Sequence, residues 1–103
     1  MNRSKYLPLT ETTFYILVAL LEPGHGYYIM QKVEELSGGD VRVAAGTMYG
    51  AIENLLGLKW IEAVPGEVKR RKVYQITESG KKVLIEESVR LRKLVDLAGE
   101  QGL

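Results

Sequence analysis

Lys69, Arg70, Arg71 and Lys72 stand side by side within VKRRKVYQITESGKK, residues 68–82. Four adjacent cations are suited to neutralising phosphates, and phosphate is the partner that most rewards such a cluster. The chain as a whole is nearly neutral, with 14 basic and 13 acidic residues among 103 and a formal net charge of +1. It therefore has no general attraction to nucleic acid, and any attraction depends on where the charges sit. A plain alternative is a solvated strand whose charges keep a sheet edge from pairing with other chains.

Other chemistry is scarce. His25 is the single histidine and has no metal-ligand spacing around it. Glu34-Glu35 and Glu86-Glu87 are adjacent acids in helical segments, where neighbours in sequence do not face each other as a catalytic pair would. Gly24 and Gly26 bracket His25 without the length or the lysine of a phosphate loop. With no cysteine, disulfides and thiolate chemistry are excluded, and a reducing cytoplasm is the simplest setting. The longest apolar run, FYILVALL (14–21), is too short to span a bilayer, and no signal-peptide pattern surrounds it. The expectation is a cytoplasmic protein of one compact unit, not an enzyme, with no metal and no cofactor.

The elements that must position the basic run follow from periodicity and punctuation. Thr10 is suited to cap a first helix that runs to about Leu21 and stops at Pro23-Gly24. Phe14, Leu17, Val18 and Leu21 share one face, while Ile16 and Leu20 make this helix apolar nearly all round, so it is buried on more than one side. A second helix spans about Gly26 to Ser37, with Ile29, Val33 and Leu36 inward, and Gly38-Gly39 ends it. VRV (41–43) alternates enough for one very short strand. A third helix follows Gly46 with Met48, Ile52 and Leu55 at helical spacing. WIEAV and RKVYQI are strand-like runs around Pro65-Gly66-Glu67, a hairpin signal. Thr77 then caps the longest helix, ESGKKVLIEESVRLRKLVDLAG.

Three helices followed by a two-stranded hairpin is the order of a winged helix-turn-helix, a mostly α fold with a small β-hairpin, here extended by a long C-terminal helix. That order places the basic run at the base and along the returning strand of the wing, where a duplex backbone can lie.

Three stretches resemble the PadR family of transcriptional regulators, in its short form with a single C-terminal helix. They are HGYYIMQKVEE (25–35), GTMYGAIENLLGLKWIE (46–62) and RRKVYQITESGKKVL (70–84), and the resemblance extends over roughly residues 5–98. It implies a winged-helix homodimer that binds double-stranded operator DNA, usually as a repressor, and is in some members released by a small-molecule effector. On this reading residues 1–77 form the winged helix-turn-helix DNA-binding domain, and residues 78–103 form a dimerisation helix packed on the same domain.

The third helix is the candidate DNA reader. Thr47 lies at its start, where free N–H groups and a partial positive charge can hold a phosphate. Tyr49 matches the aromatic of the family's motif and stands at the margin of the buried stripe, so its hydroxyl can reach a phosphate or its ring can pack at the helix junction. Gly50, Glu53, Asn54 and Gly57 form the outer side, and Asn54 can pair with an adenine edge. This helix has no Lys or Arg, which excludes arginine-to-guanine readout and leaves specificity to Asn54, to DNA shape or to Glu53 accepting from cytosine. Arg3, Lys5, Lys32, Lys59 and the run Lys69–Lys72 are the phosphate candidates. The cation-free reading helix also favours a rival, a winged-helix protein-interaction module without operator binding.

In the last helix Leu84, Leu91 and Ala98 recur every seven residues beside Leu94 and Val95. So apolar a helix cannot bury every face on its own small domain, which makes these residues the expected dimer seam. Pairing would present two reading helices roughly 34 Å apart to one face of a duplex. An effector is expected near the junction of the first and last helices, where Phe14, Tyr15 and Trp60 supply rings.

Overall fold

The structure is a computed structural model and describes residues 5–65 and 72–103. Lys69, Arg70, Arg71 and Arg3, together with Gly66 and Glu67 of the hairpin signal, lie outside the described residues. Four helices and one hairpin follow in the order α1 (Glu11–Ala19), α2 (Gly26–Leu36), α3 (Ala45–Gly57), β1 (Ile61–Val64), β2 (Val73–Ile76) and α4 (Glu78–Glu100). This is a winged helix-turn-helix followed by a long helix.

Side chains cap three of the helix starts, each satisfying a backbone N–H that a helix leaves unpaired. Thr10 Oγ1 accepts from Thr13 N at 3.1 Å, His25 Nδ1 from Tyr28 N at 3.3 Å, and Thr77 Oγ1 from Gly80 N at 3.1 Å. Thr77 also donates to Lys59 O at 2.7 Å, and its N–H meets Trp60 O at 2.9 Å, so the start of α4 is tied to the start of the hairpin. Gly80 makes that junction close: a Cβ there would lie 2.2 Å from the carbonyl oxygen of Trp60, which is backbone and cannot yield.

Both α2 and α3 end in the same doubly hydrogen-bonded reversal. After α2, Gly38 N meets Glu35 O at 3.1 Å and Gly39 N meets Glu34 O at 2.9 Å, with Gly38 at φ +62°. After α3, Lys59 N meets Leu56 O at 3.0 Å and Trp60 N meets Leu55 O at 3.1 Å, with Lys59 at φ 63°. A left-handed residue is required there, and glycine serves it with least strain.

The core gathers Ile16, Leu17 and Leu20 of α1, Ile29 and Val33 of α2, Met48, Ile52 and Leu55 of α3, and Tyr74 and Ile76 of β2. β1 and β2 pair antiparallel with Ile61 opposite Ile76 and Val64 opposite Val73. The other edge of β2 is occupied as well. Gly24 and Tyr74 exchange two backbone hydrogen bonds of 2.9 Å, and Ile76 N reaches Leu20 O at 2.9 Å. The α1–α2 connection thus shields the returning strand, so no added charge is needed to protect that edge over Tyr74–Ile76.

Several expectations need correction. Residues 41–43 form no strand: Val41 N is held by Ser37 Oγ at 2.9 Å, Arg42 pairs with Glu34 at 3.3 Å, and Val43 turns into the core. The edge such a strand would need on β2 is already taken by Gly24. Leu21 and Leu36 are exposed instead of inward, because α1 ends at Ala19 and Leu36 is the last residue of α2. Leu84 is only 8% exposed and belongs to its own chain's core, so it is not on an open face. Finally, α4 packs on the domain through its first half, burying Gly80, Leu84 and Glu87 with Val83 beside them. Beyond them it projects, exposing Leu91, Leu94, Val95 and Leu97, within a molecule 53 Å long.

Candidate nucleic-acid interface

Helix α3 is two-sided. Met48, Ile52 and Leu55 are buried, and at about 100° per residue the opposite side carries Gly46, Gly50, Glu53 and Gly57, flanked by Thr47 and Asn54. All six are exposed. Around Gly46, Gly50 and Gly57 a Cβ would meet nothing within 4 Å, so the fold does not demand glycine there. Ala44 at the N-cap contributes no side-chain hydrogen bond, unlike the capping residues of the other helices.

Tyr49 lies between the two sides. Its side chain is 58% exposed, yet its ring lies across the start of α2, 3.2 Å from where a Cβ on Gly26 would be. Of the two alternatives for this residue the packing at the helix junction is present, and the residue stays more than half exposed.

An open groove of about 740 Å³ separates α3 from the hairpin. Its walls are His25, Gly26 and Tyr27 at the start of α2, Tyr49 and Glu53 on α3, and Lys72 just before β2. Ile52, Leu56 and Tyr74 complete it with apolar surface. The groove brings together Tyr49 and Lys72, two of the sequence candidates. Thr47, Gly50 and Asn54 lie on the open face of α3 beside it, whereas Lys32 is half-buried on α2 and does not line it. Lys5 is elsewhere, its ammonium 5.2 Å from the ring centroid of Tyr6, which in turn meets Trp60 edge-on at 5.2 Å.

Tyr27 escaped sequence reasoning although a signal was present. With Ile29 and Val33 inward on α2, helical spacing turns Tyr27 outward, and it is 63% exposed. Exposed tyrosine at the mouth of a groove is a surface chemistry of its own, an apolar body ending in a hydrogen-bonding hydroxyl.

A second cavity of about 300 Å³ opens between α1 and α4. Phe14 and Tyr15 line it, as expected; Trp60 does not, because its ring is buried against Tyr6. Glu87, 1% exposed, borders this cavity and was not foreseen. Its carboxylate accepts from Leu9 N at 2.7 Å and from Arg90 Nη2 at 3.1 Å, with Arg90 Nε as a further donor. The hydrogen bond from Arg90 to Glu87, which holds the guanidinium protonated, raises its pKa further, against the opposing effect of partial desolvation. The spacing Gly80, Leu84, Glu87, Leu91 could have placed this acid on the packed face of α4. Among the described residues no group of three His, Asp or Glu could hold a metal ion, and no helix is long and apolar enough to cross a membrane.

The sequence profile of the transcriptional regulator PadR-like family matches residues 16–86. A search of curated proteins finds no match. Among solved structures, a transcriptional regulator from Clostridium thermocellum superposes with a TM-score of 0.76 at 22% identity, over 96% of this chain and 97% of that one. A PadR family transcriptional regulator from Eggerthella lenta gives 0.67 at 27% identity, over 86% and 79%. Bacillus subtilis PadR in complex with operator DNA gives 0.64 at 24% identity, over 77% of this chain and 47% of that one.

Proposed function

The chain belongs to the PadR-like family, whose members are transcription regulators and not enzymes, and from that premise we propose that it is a homodimeric repressor of operator DNA. In this reading α3 enters the major groove, with Asn54 facing base edges and Thr47, Tyr49 and Gly50 close to the backbone. Lys72 and the neighbouring Lys69, Arg70 and Arg71 meet phosphates, with Arg3, Lys5 and Lys32 as outlying cations. The observation that carries the reading is the exposed outer side of α3, flanked across a groove by a hairpin whose returning strand follows Lys72. Operator binding by Bacillus subtilis PadR, of the same fold, supports it.

Pairing rests on α4. Leu94 and Val95 are 50% and 69% exposed and Leu91 37%, with half-buried Ala98 beyond them. That is a run of apolar side chains left in water by a single copy, and a second copy would cover it. The cavity between α1 and α4, with Phe14, Tyr15, Glu87 and Arg90 on its walls, is the site we assign to a small-molecule effector.

Sedimentation with a parallel duplex titration tests this. The native chain is expected to sediment as a dimer and to bind DNA with steep salt dependence. Val95→Glu places a charge in the seam at a position already exposed in one copy, so the fold survives while the dimer dissociates. A native monomer, or a dimer indifferent to Val95→Glu, rejects the α4 seam. The second reading, a protein-interaction module, is favoured by the lack of any cation on α3; absence of duplex binding at low salt would select it.

A further inference from the structure

The groove between α3 and the hairpin is lined, among the described residues, more by aromatic and apolar side chains than by cations. Among the described residues that line it, Lys72 and Glu53 are opposite charges, while Tyr27 and Tyr49 present exposed phenols at 63% and 58%. On the DNA-binding reading α3 enters a major groove about 12 Å wide, and a sugar–phosphate strand borders that groove beside the helix. Beside α3 the open groove of about 740 Å³ offers room for such a strand.

We propose that this groove seats the phosphodiester strand that borders the major groove, and that Tyr27 is a positioning residue that donates its hydroxyl to a phosphate oxygen. The inference rests on the DNA-binding reading above and adds a residue and a mode of contact to it. Tyr27 projects from the first turn of α2. Tyr49 stands beside it with its ring braced on Gly26, so the two phenols flank one end of the groove. Lys72 lines the same groove.

The chemistry separates this contact from the basic run. A lysine or arginine that neutralises a phosphate displaces a condensed counterion, so its contribution fades as salt rises. A neutral hydroxyl donating to a phosphate displaces none, and its contribution is nearly independent of salt. The groove thus supplies a salt-insensitive share of affinity, common to all sequences because every phosphate is alike.

Fluorescence anisotropy with a random-sequence duplex of about three helical turns, at several salt concentrations, tests the assignment on the full chain. Tyr27→Phe removes only an exposed hydroxyl and keeps the ring, so the thermal transition is expected to stay in place. Its affinity is expected to fall about tenfold at every salt concentration, with the log–log slope unchanged. Lys72→Gln is expected to flatten that slope by about 0.9 for each subunit in contact. Native-like affinity in Tyr27→Phe overturns the groove assignment, and so does a flattened slope in that variant. Failure of the native chain to bind any duplex at low salt overturns the DNA-binding reading itself, and the groove with it.

Discussion

The phenol of Tyr49 lies across the Cα of Gly26, so that a methyl on Gly26 would lie 3.2 Å from Tyr49 Cε1 and 3.4 Å from its hydroxyl oxygen. This contact joins α3 to the start of α2, and it sets the direction in which the Tyr49 hydroxyl points. The ring is more than half exposed, so it can swing outward to make room. Gly26→Ala is therefore expected to leave stability within about 0.5 kcal/mol of native, while duplex affinity drops roughly fivefold through a misdirected hydroxyl, about 1 kcal/mol. Chemical denaturation and anisotropy on the same preparation check both halves.

Gly50 is expected to show effects of opposite sign. It occupies the middle of α3 with open space where a Cβ would be, so the fold gains nothing from its being glycine. Glycine in a helix interior costs about 0.5–1 kcal/mol relative to alanine. Gly50→Ala should raise stability by about that amount. If α3 approaches base edges through this side, the added methyl holds it away, and operator binding should weaken by roughly tenfold, about 1.4 kcal/mol. A thermal shift upward combined with weaker binding is the expected signature; unchanged binding would mean that Gly50 does not face DNA.

Lys59 holds a left-handed conformation at the position after α3 where α2 uses Gly38. A side chain with a Cβ costs roughly 1–2 kcal/mol there, partly offset by the greater freedom that glycine has in the unfolded chain. Lys59→Gly is accordingly expected to stabilise the protein by about 0.5–1 kcal/mol net. Its 103-residue length makes urea unfolding a suitable measurement, read as a shift in midpoint at constant slope.

What the sequence revealed was mostly local. Thr10 and Thr77 are capping residues followed by apolar periodicity, and Met48, Ile52 and Leu55 repeat at helical spacing, so each could be assigned from its neighbours. What stayed hidden depends on contacts distant in sequence. Val41 and Val43 alternate like a strand, but the β2 edge one would need is taken by Gly24, some twenty residues earlier. Helical spacing could put Glu87 on the packed face of α4, but its partner there, the N–H of Leu9, lies 78 positions away. Trp60 looked like part of an effector cavity, yet its ring partner is Tyr6, before the first helix. Lys59 follows this rule in miniature: no glycine marks the reversal after α3, which falls where the chain must turn to bring Trp60 against the start of α4.

Glu53 is the one charged side chain on α3, and it distinguishes two ways in which that helix can meet DNA. It is exposed, and it lines the groove in which the phosphodiester strand is proposed to lie. A carboxylate so placed opposes every phosphate that approaches, whatever the sequence, and the opposition is strongest at low salt where screening is weakest. Glu53→Gln should then tighten binding to random duplex about threefold to tenfold at low salt, with the gain shrinking as salt rises, since exposed charges separated by several ångströms interact weakly in water. A base-reading role gives the reverse pattern. If Glu53 accepts from a cytosine amino group, glutamine loses roughly 1–3 kcal/mol on the preferred site and leaves random DNA alone. Isotherms for both proteins, on random duplex and on the best duplex selected from a random pool, separate the two. The expected result is the first: tighter binding to both duplexes by a similar factor and a nearly unchanged ratio between selected and random DNA, because a penalty that all sequences share cancels in that ratio.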